Sequence, residues 1–259
     1  LLTLGLAVVL AIVIPLLGYA LLRRYLTTLD AAAVAATYGS VSAVTFITAT
    51  QSLDHFGISY GGHMAAAMAL MESPAIILAI VLANRARAAQ SDHPLPTPIS
   101  KVLHESFTDG AQLLLLGSMA VGYFSGAGGQ ALMAPFSIDL FKGMLAFFLL
   151  DMGLMAARNM AGLKDRSRMT VLYATLAPVV HAMIALGCAR LLGLAQGDTI
   201  LLMVLAASAS YIAVPAVLRH SLPEVNPALY MSMSLGITFP LNIILGIPLY
   251  TAMAAWAFP

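Results

Sequence analysis

The sequence predicts an all-α polytopic membrane protein, on three observations. Of its 259 residues, 61% are hydrophobic and 9% charged, where soluble domains carry roughly 25% charged residues; the mean hydropathy is +0.93. Apolar runs recur at the ~20 residues that take an α-helix across the hydrocarbon core. Two of these runs carry small and polar residues at their centres. One is Ala35-Ala36-Thr37-Tyr38-Gly39-Ser40-Val41-Ser42-Ala43-Val44-Thr45, the other Ala206-Ala207-Ser208-Ala209-Ser210-Tyr211-Ile212-Ala213-Val214-Pro215. Small polar residues at that depth either let helices pack closely or open backbone and hydroxyl groups to a ligand.

Eight spans are expected, over residues 2–22, 31–50, 61–84, 105–124, 140–161, 170–193, 198–217 and 228–257. Asp30 and Asp198 stand where helix N-caps of the second and seventh would be. Pro15, Pro74, Pro178, Pro215, Pro240 and Pro248 fall inside spans, so kinked or interrupted helices are expected. No alternation of β-barrel type is present. Net charge is +1, and no basic stripe or zinc-type cluster points to nucleic acid. The single cysteine, Cys188, lies in an apolar run and reads as a small buried hydrophobe.

Basic residues orient the chain. Numbering the loops alternately puts Arg23, Arg24, Arg85, Arg87, Lys101, Arg158, Lys164, Arg166, Arg168 and Arg219 on one side, and only Lys142 and Arg190 on the other. The richer side is cytoplasmic by the positive-inside rule. A weak internal repeat follows the same division. Ala35-Ala36 answers Ala206-Ala207, Gln51-Ser52-Leu53 answers His220-Ser221-Leu222, and Glu72-Ser73-Pro74 answers Thr238-Phe239-Pro240. The offset is nearly constant while the orientation reverses, which is an inverted-topology repeat. Spans one to three then match six to eight, and the pair in the middle lacks a counterpart. The chain opens at Leu1 inside an apolar run with neither the charged start nor the cleavage site of a signal peptide. An N-terminally truncated protein is expected, with eight of ten spans in a five-plus-five inverted repeat. The expected domains are first-repeat core helices over 1–88, a cytoplasmic linker over 89–104, a gate or scaffold helix pair over 105–165, and second-repeat core helices over 166–259.

Ser40, Ser42 and Thr45, with Ser208 and Ser210, supply hydroxyls at mid-depth. If the two helices break there, helix N-termini would face a shared pocket suited to a small anion, while hydroxyls and freed carbonyls could bind sodium. Glu72, two residues before Pro74, and Asp151, at the centre of the fifth span, are intramembrane acids and hence candidates for a coupling ion or a proton. Asn242 could contribute an amide. His181 and His63 read as hydrogen-bonding residues, and Tyr38 and Tyr211 as walls of the pocket.

Taken together, Tyr38-Gly39-Ser40-Val41-Ser42, Ile58-Ser59-Tyr60, Glu72-Ser73-Pro74-Ala75, Ala177-Pro178-Val179-Val180-His181, Ala206-Ala207-Ser208-Ala209-Ser210, Asn226-Pro227 and Ile247-Pro248-Leu249 resemble the sodium-dependent bicarbonate transporter family in order and spacing. The resemblance implies a ten-span inverted repeat with core and gate domains. It also implies a secondary active transporter, a sodium-dependent bicarbonate uptake permease or symporter, in the bacterial inner membrane, with inorganic carbon as cargo. Its motif residues place the substrate at Gly39, Ser42, Ala43, Thr45, Ser208 and Ser210. Coupling-ion candidates are Ser40, Glu72, Asp151 and Asn242. The sequence departs from the family pattern at Ala43-Val44, Glu72, Ala209 and, above all, Tyr211, where the pattern has an acid. The partners implied are bicarbonate, sodium, the lipid bilayer, a second copy of the chain in a homo-oligomer, and a PII-type regulatory protein at the cytoplasmic face. A sodium/proton antiporter or another small-carboxylate symporter is the alternative within transport. An intramembrane enzyme using His63, His181 and Asp151 is the alternative outside it, and no motif spacing supports it.

Overall fold

The computed structural model describes residues 1–88, 100, 110–160 and 167–258. All but Ser100 of the expected linker, the start of the expected fourth span at 105–109, and the basic residues Lys101, Lys164 and Arg166 lie outside the described residues.

The described chain is helical. It consists of α1 (Leu2–Leu22), α2 (Thr28–Gly39), α3 (Ala43–His55), α4 (His63–Ala88), α5 (Gly110–Ala134), α6 (Phe141–Met160), α7 (Arg168–Leu191), α8 (Gln196–Ala207), α9 (Ala213–Ser221) and α10 (Pro227–Ala257). Among the described residues, five helices are long and apolar enough to cross a membrane, or six if the bent pair α5–α6 is one span. This is fewer than the eight expected, for two reasons. The run at 198–217 is divided into α8 and α9, of 12 and nine residues, each too short to cross alone. The runs at 105–124 and 140–161 are joined by a π-helical turn, Pro135–Leu140, instead of a loop, and the axis bends by 41° there. Within α5, Gly126 at φ 55° and ψ −152° adds a kink, in a backbone region where only glycine is at ease.

The helix starts also differ from expectation. Thr27 caps α2, accepting from the Asp30 N–H at 3.1 Å while its hydroxyl donates to the Asp30 carboxylate at 2.8 Å. Asp30 is therefore the third helical residue, where an acid answers the cap reciprocally. Asp198 likewise lies in the first turn of α8, beyond its cap Ala195.

The second span, Thr28–His55, is broken between α2 and α3, and 83% of the residues in its most apolar 18-residue stretch are buried, against 33% for α1 and 39% for α7. It therefore runs through the middle of the bundle. The core divides around it. One cluster gathers Leu10, Phe46, Leu53, Met64, Leu201 and Leu205 around α3 and α8. A second gathers Val34, Tyr38, Ile80, Leu218 and Tyr230 around α2 and α9. A third joins Val44, Met152, Tyr211, Leu235 and Phe239, and through it α6 touches the centre. Elsewhere α5 and α6 turn Leu114, Tyr123, Phe124 and Phe147 outward.

Polar contacts tie down both ends. Asp198 accepts the Gly61 N–H at 2.7 Å and pairs with His63 at 3.4 Å, so α8 begins beside the α3–α4 loop. In that loop, burial and the nearby Asp54 carboxylate push the Tyr60 phenol up. At the opposite end Arg87 forks onto Glu224 at 3.0 and 2.7 Å and donates to the Ser221 carbonyl at 3.1 Å. The end of α9 thus lies beside the end of α4, and α8–α9 runs against the direction of α2–α3.

Candidate functional site

Both broken helices stop the same way. After α2, Ser40 turns extended at φ −96° and ψ 176°. After α8, Ser208 does so at φ −77° and ψ 165°. Small residues suit such a break, because freed backbone groups need partners and little bulk stands in their way. The partners come from across the gap. The Ser42 N–H donates to Ser208 Oγ at 3.0 Å, and the Ser210 N–H donates to the Thr37 carbonyl at 2.8 Å. The two breaks therefore close each other.

Beyond each break a new helix starts. Ser42 caps α3, accepting the Thr45 N–H at 3.2 Å and the Thr45 hydroxyl at 2.9 Å. Ser210 Oγ accepts the Val214 N–H of α9 at 3.2 Å, in place of Ile212, which makes no side-chain cap. A cavity of about 100 Å³ lies where these starts converge, lined by Val41, Ser42, Ala43, Val44, Glu72, Ser210, Tyr211, Ile212 and Ala213. The first N–H groups of a helix have no partner within it, and its dipole is positive at that end. Two such ends at one cavity favour an anion. With a water's share of liquid volume at ~30 Å³, the space is large enough for a small oxyanion.

The expected residues divide into three groups. Ser42, Ala43, Ser210 and the coupling-ion candidate Glu72 line the cavity. Thr45, Ser208, Ser40 and Asn242 stand behind it. Thr45 holds Ser42; Ser208 receives Ser42 and donates to the Leu205 carbonyl at 2.8 Å; Ser40 donates to the Glu72 carbonyl at 3.1 Å. Asn242 donates to the Ala207 carbonyl at 2.8 Å and accepts the Tyr250 hydroxyl at 2.9 Å, so its amide closes the end of α8. Gly39 and Asp151 lie away from it. A Cβ on Gly39 would stand 2.5 Å from the Pro15 ring, so this glycine lets α1 and α2 touch. Asp151 is exposed on α6. Its neighbour Met152 packs on the cluster of Tyr211 and Phe239, and successive helical residues point about 100° apart.

Tyr211 was expected as a wall and is one, with its hydroxyl accepting from Ser42 Oγ at 3.3 Å and its ring edge-on to Phe239 at 5.1 Å. Tyr38 is instead a strut. Its hydroxyl meets Thr238 Oγ1 at 2.7 Å, which donates to the Ala174 carbonyl at 2.7 Å and so links α2, α10 and α7. His181 lies beside the Ala206 carbonyl at the end of α8. Val41, Val44, Ile212 and Ala213 also line the cavity and were not assigned to it by sequence, although all four lie within the two small-residue stretches. Among the described residues no group of three or more His, Cys, Asp or Glu converges as a metal centre.

No curated protein matches the chain. The sequence model of the Na+-dependent bicarbonate transporter superfamily matches residues 1–255. With its long apolar helices, the chain is a multi-pass membrane protein, a transporter in kind and not an enzyme, and it belongs to the Na+-dependent bicarbonate transporter superfamily.

Proposed function

We propose that the protein is a secondary active transporter that takes up bicarbonate with sodium across a bacterial inner membrane, binding the anion between the two broken helices. The observation that carries this is the small cavity at the starts of α3 and α9, where Ser42, Ser210 and Tyr211 surround the N-terminal turns. Two positive dipole ends and hydroxyl donors suit a monovalent oxyanion. Glu72 supplies the one carboxylate on the lining, and sodium, a hard cation, takes oxygen ligands; we assign Glu72 to the coupling ion. Ser40 and Asn242 position this arrangement, and Asp151 is outside it. The opposed directions of α2–α3 and α8–α9 support an inverted repeat, with α5–α6 as the gate or scaffold. The homo-oligomer and the PII-type partner rest on the family resemblance alone.

The test is uptake of radiolabelled bicarbonate by the protein in liposomes, with and without a sodium gradient. Sodium-driven uptake is expected, abolished by Ser42→Leu with insertion intact, because leucine fills the cavity. Uptake driven equally by a proton gradient would make Glu72 a proton site. No bicarbonate uptake under either gradient would overturn the reading.

A further inference from the structure

The hydroxyls at the cavity are ordered in one direction. Thr45 Oγ1 donates to Ser42 Oγ at 2.9 Å, and the Thr45 N–H donates to the same oxygen at 3.2 Å. With both its lone pairs engaged, Ser42 has one proton to give, and it goes to Tyr211 Oη at 3.3 Å. Tyr211 is therefore the acceptor in that bond and retains its own phenolic proton. Among the described residues no acceptor takes that proton. Tyr211 is 6% exposed, lines the cavity, and is held edge-on by Phe239 at 5.1 Å. A buried donor without an acceptor is costly, and each hydroxyl in such a chain polarises the next. The chain starts at the first turn of α3 and ends on a free donor at the anion cavity.

We propose that the Tyr211 hydroxyl is the side-chain donor that binds the transported oxyanion, with Thr45 and Ser42 as the relay that aims it. This rests on the bicarbonate reading and names the residue that sets its affinity. The phenol adds a directional O–H to the cavity without adding charge. It complements the backbone N–H groups of α3 and α9, which attract an anion but do not by themselves fix one oxygen. Tyr211 contacts the substrate; Thr45 is a positioning residue that acts through Ser42.

Uptake by the reconstituted protein is measured against bicarbonate concentration. Tyr211→Phe keeps the contact with Phe239 and removes only the donor. Its KM should rise about tenfold, as a hydrogen bond to a charged partner is lost, with kcat close to the parent's. Thr45→Val should raise KM several-fold and Thr45→Ser should restore it, which loss of packing alone would not do. In a third arm Tyr211 is replaced by 3-fluorotyrosine, a stronger donor of nearly the same size. KM should then fall, and the fluorine resonance should shift on titration with bicarbonate. An unchanged KM in Tyr211→Phe, or a fluorine resonance indifferent to bicarbonate in a protein that transports it, overturns the inference and leaves the functional reading standing. If Tyr211→Phe does not fold, the fluorotyrosine arm decides alone. A parent that does not take up bicarbonate overturns the functional reading, and this inference with it.

Discussion

The two breaks are alike in outline and differ in how they are supported. Beyond the bonds the two breaks exchange, the first is held by Ser40 closing back on the Ala36 carbonyl, by Ser42 capping the helix that follows, and by the Ser40 hydroxyl on the Glu72 carbonyl. The second leans on its neighbours. The Ala207 carbonyl is satisfied by Asn242 on α10, and α9 starts from an uncapping Ile212, with Ser210 reaching in from two residues before. Each break thus has local and long-range partners, but only the second takes its closing amide from α10, so its geometry reports on the docking of that helix.

The sharpest way to break this contrast is Asn242→Leu. It leaves the buried Ala207 carbonyl and the Tyr250 hydroxyl without a partner, and at about 1–3 kcal/mol for each orphaned group the loss should be roughly 2–6 kcal/mol. Thermal unfolding in detergent should show it, together with greatly reduced uptake. If Ser40→Ala destabilises as much, the second break is no more dependent than the first. Gly39→Ala comes next. Its Cβ would meet the Pro15 ring at 2.5 Å, and overpacking of this kind costs about 1–3 kcal/mol. The same unfolding measurement checks it, and KM should change less than stability because Gly39 lies outside the cavity. Ser42→Ala and Ser210→Ala should have the smallest effects on stability, about 1 kcal/mol each for a lost cap. They should separate in uptake, where Ser42→Ala also disconnects Tyr211 and should raise KM more. Equal KM values would mean that the two serines play equivalent parts at the cavity.

Sequence carried the location of both breaks because Gly, Ser and Thr at mid-span are an anomaly in lipid that hydropathy alone exposes. It pointed to Ser42, Ala43 and Ser210, which line the cavity, for the same reason, and to Glu72 as an intramembrane acid. It could not tell lining from backing. Thr45 and Ser208 have the same residue types as Ser42 and Ser210, and only the hydrogen-bond directions place them one layer behind. Gly39 looked like an opening for a ligand and is a seat for Pro15, a contact 24 positions away that no local pattern announces. Asp151 looked central by count along its run, but its face is set by Met152 packing inward. The expected separation of the fourth and fifth spans rested on hydropathy alone, and the chain passes between them by a kink at Gly126 and a wide helical turn over Pro135–Leu140.

The π-helical stretches inside α10, Ser234–Thr238 and Asn242–Gly246, have a consequence for the chain's tolerance of length change. In an unbroken α-helix, residues eight apart such as Asn242 and Tyr250 point about 80° away from each other. A wider i→i+5 turn winds fewer degrees per residue, and this brings the Tyr250 hydroxyl back over Asn242. Gly246 leaves the room: a Cβ there would stand 2.6 Å from the Asn242 amide oxygen. The extra residue in the turn is thus a phase correction between two side chains. Deleting one residue from 243–246 would restore α-helical winding and leave the two side chains seven apart, within about 20° of one face, so the contact that closes α8 should survive. In this segment the winding absorbs a residue, and the identities of Asn242 and Tyr250 matter more than the number between them.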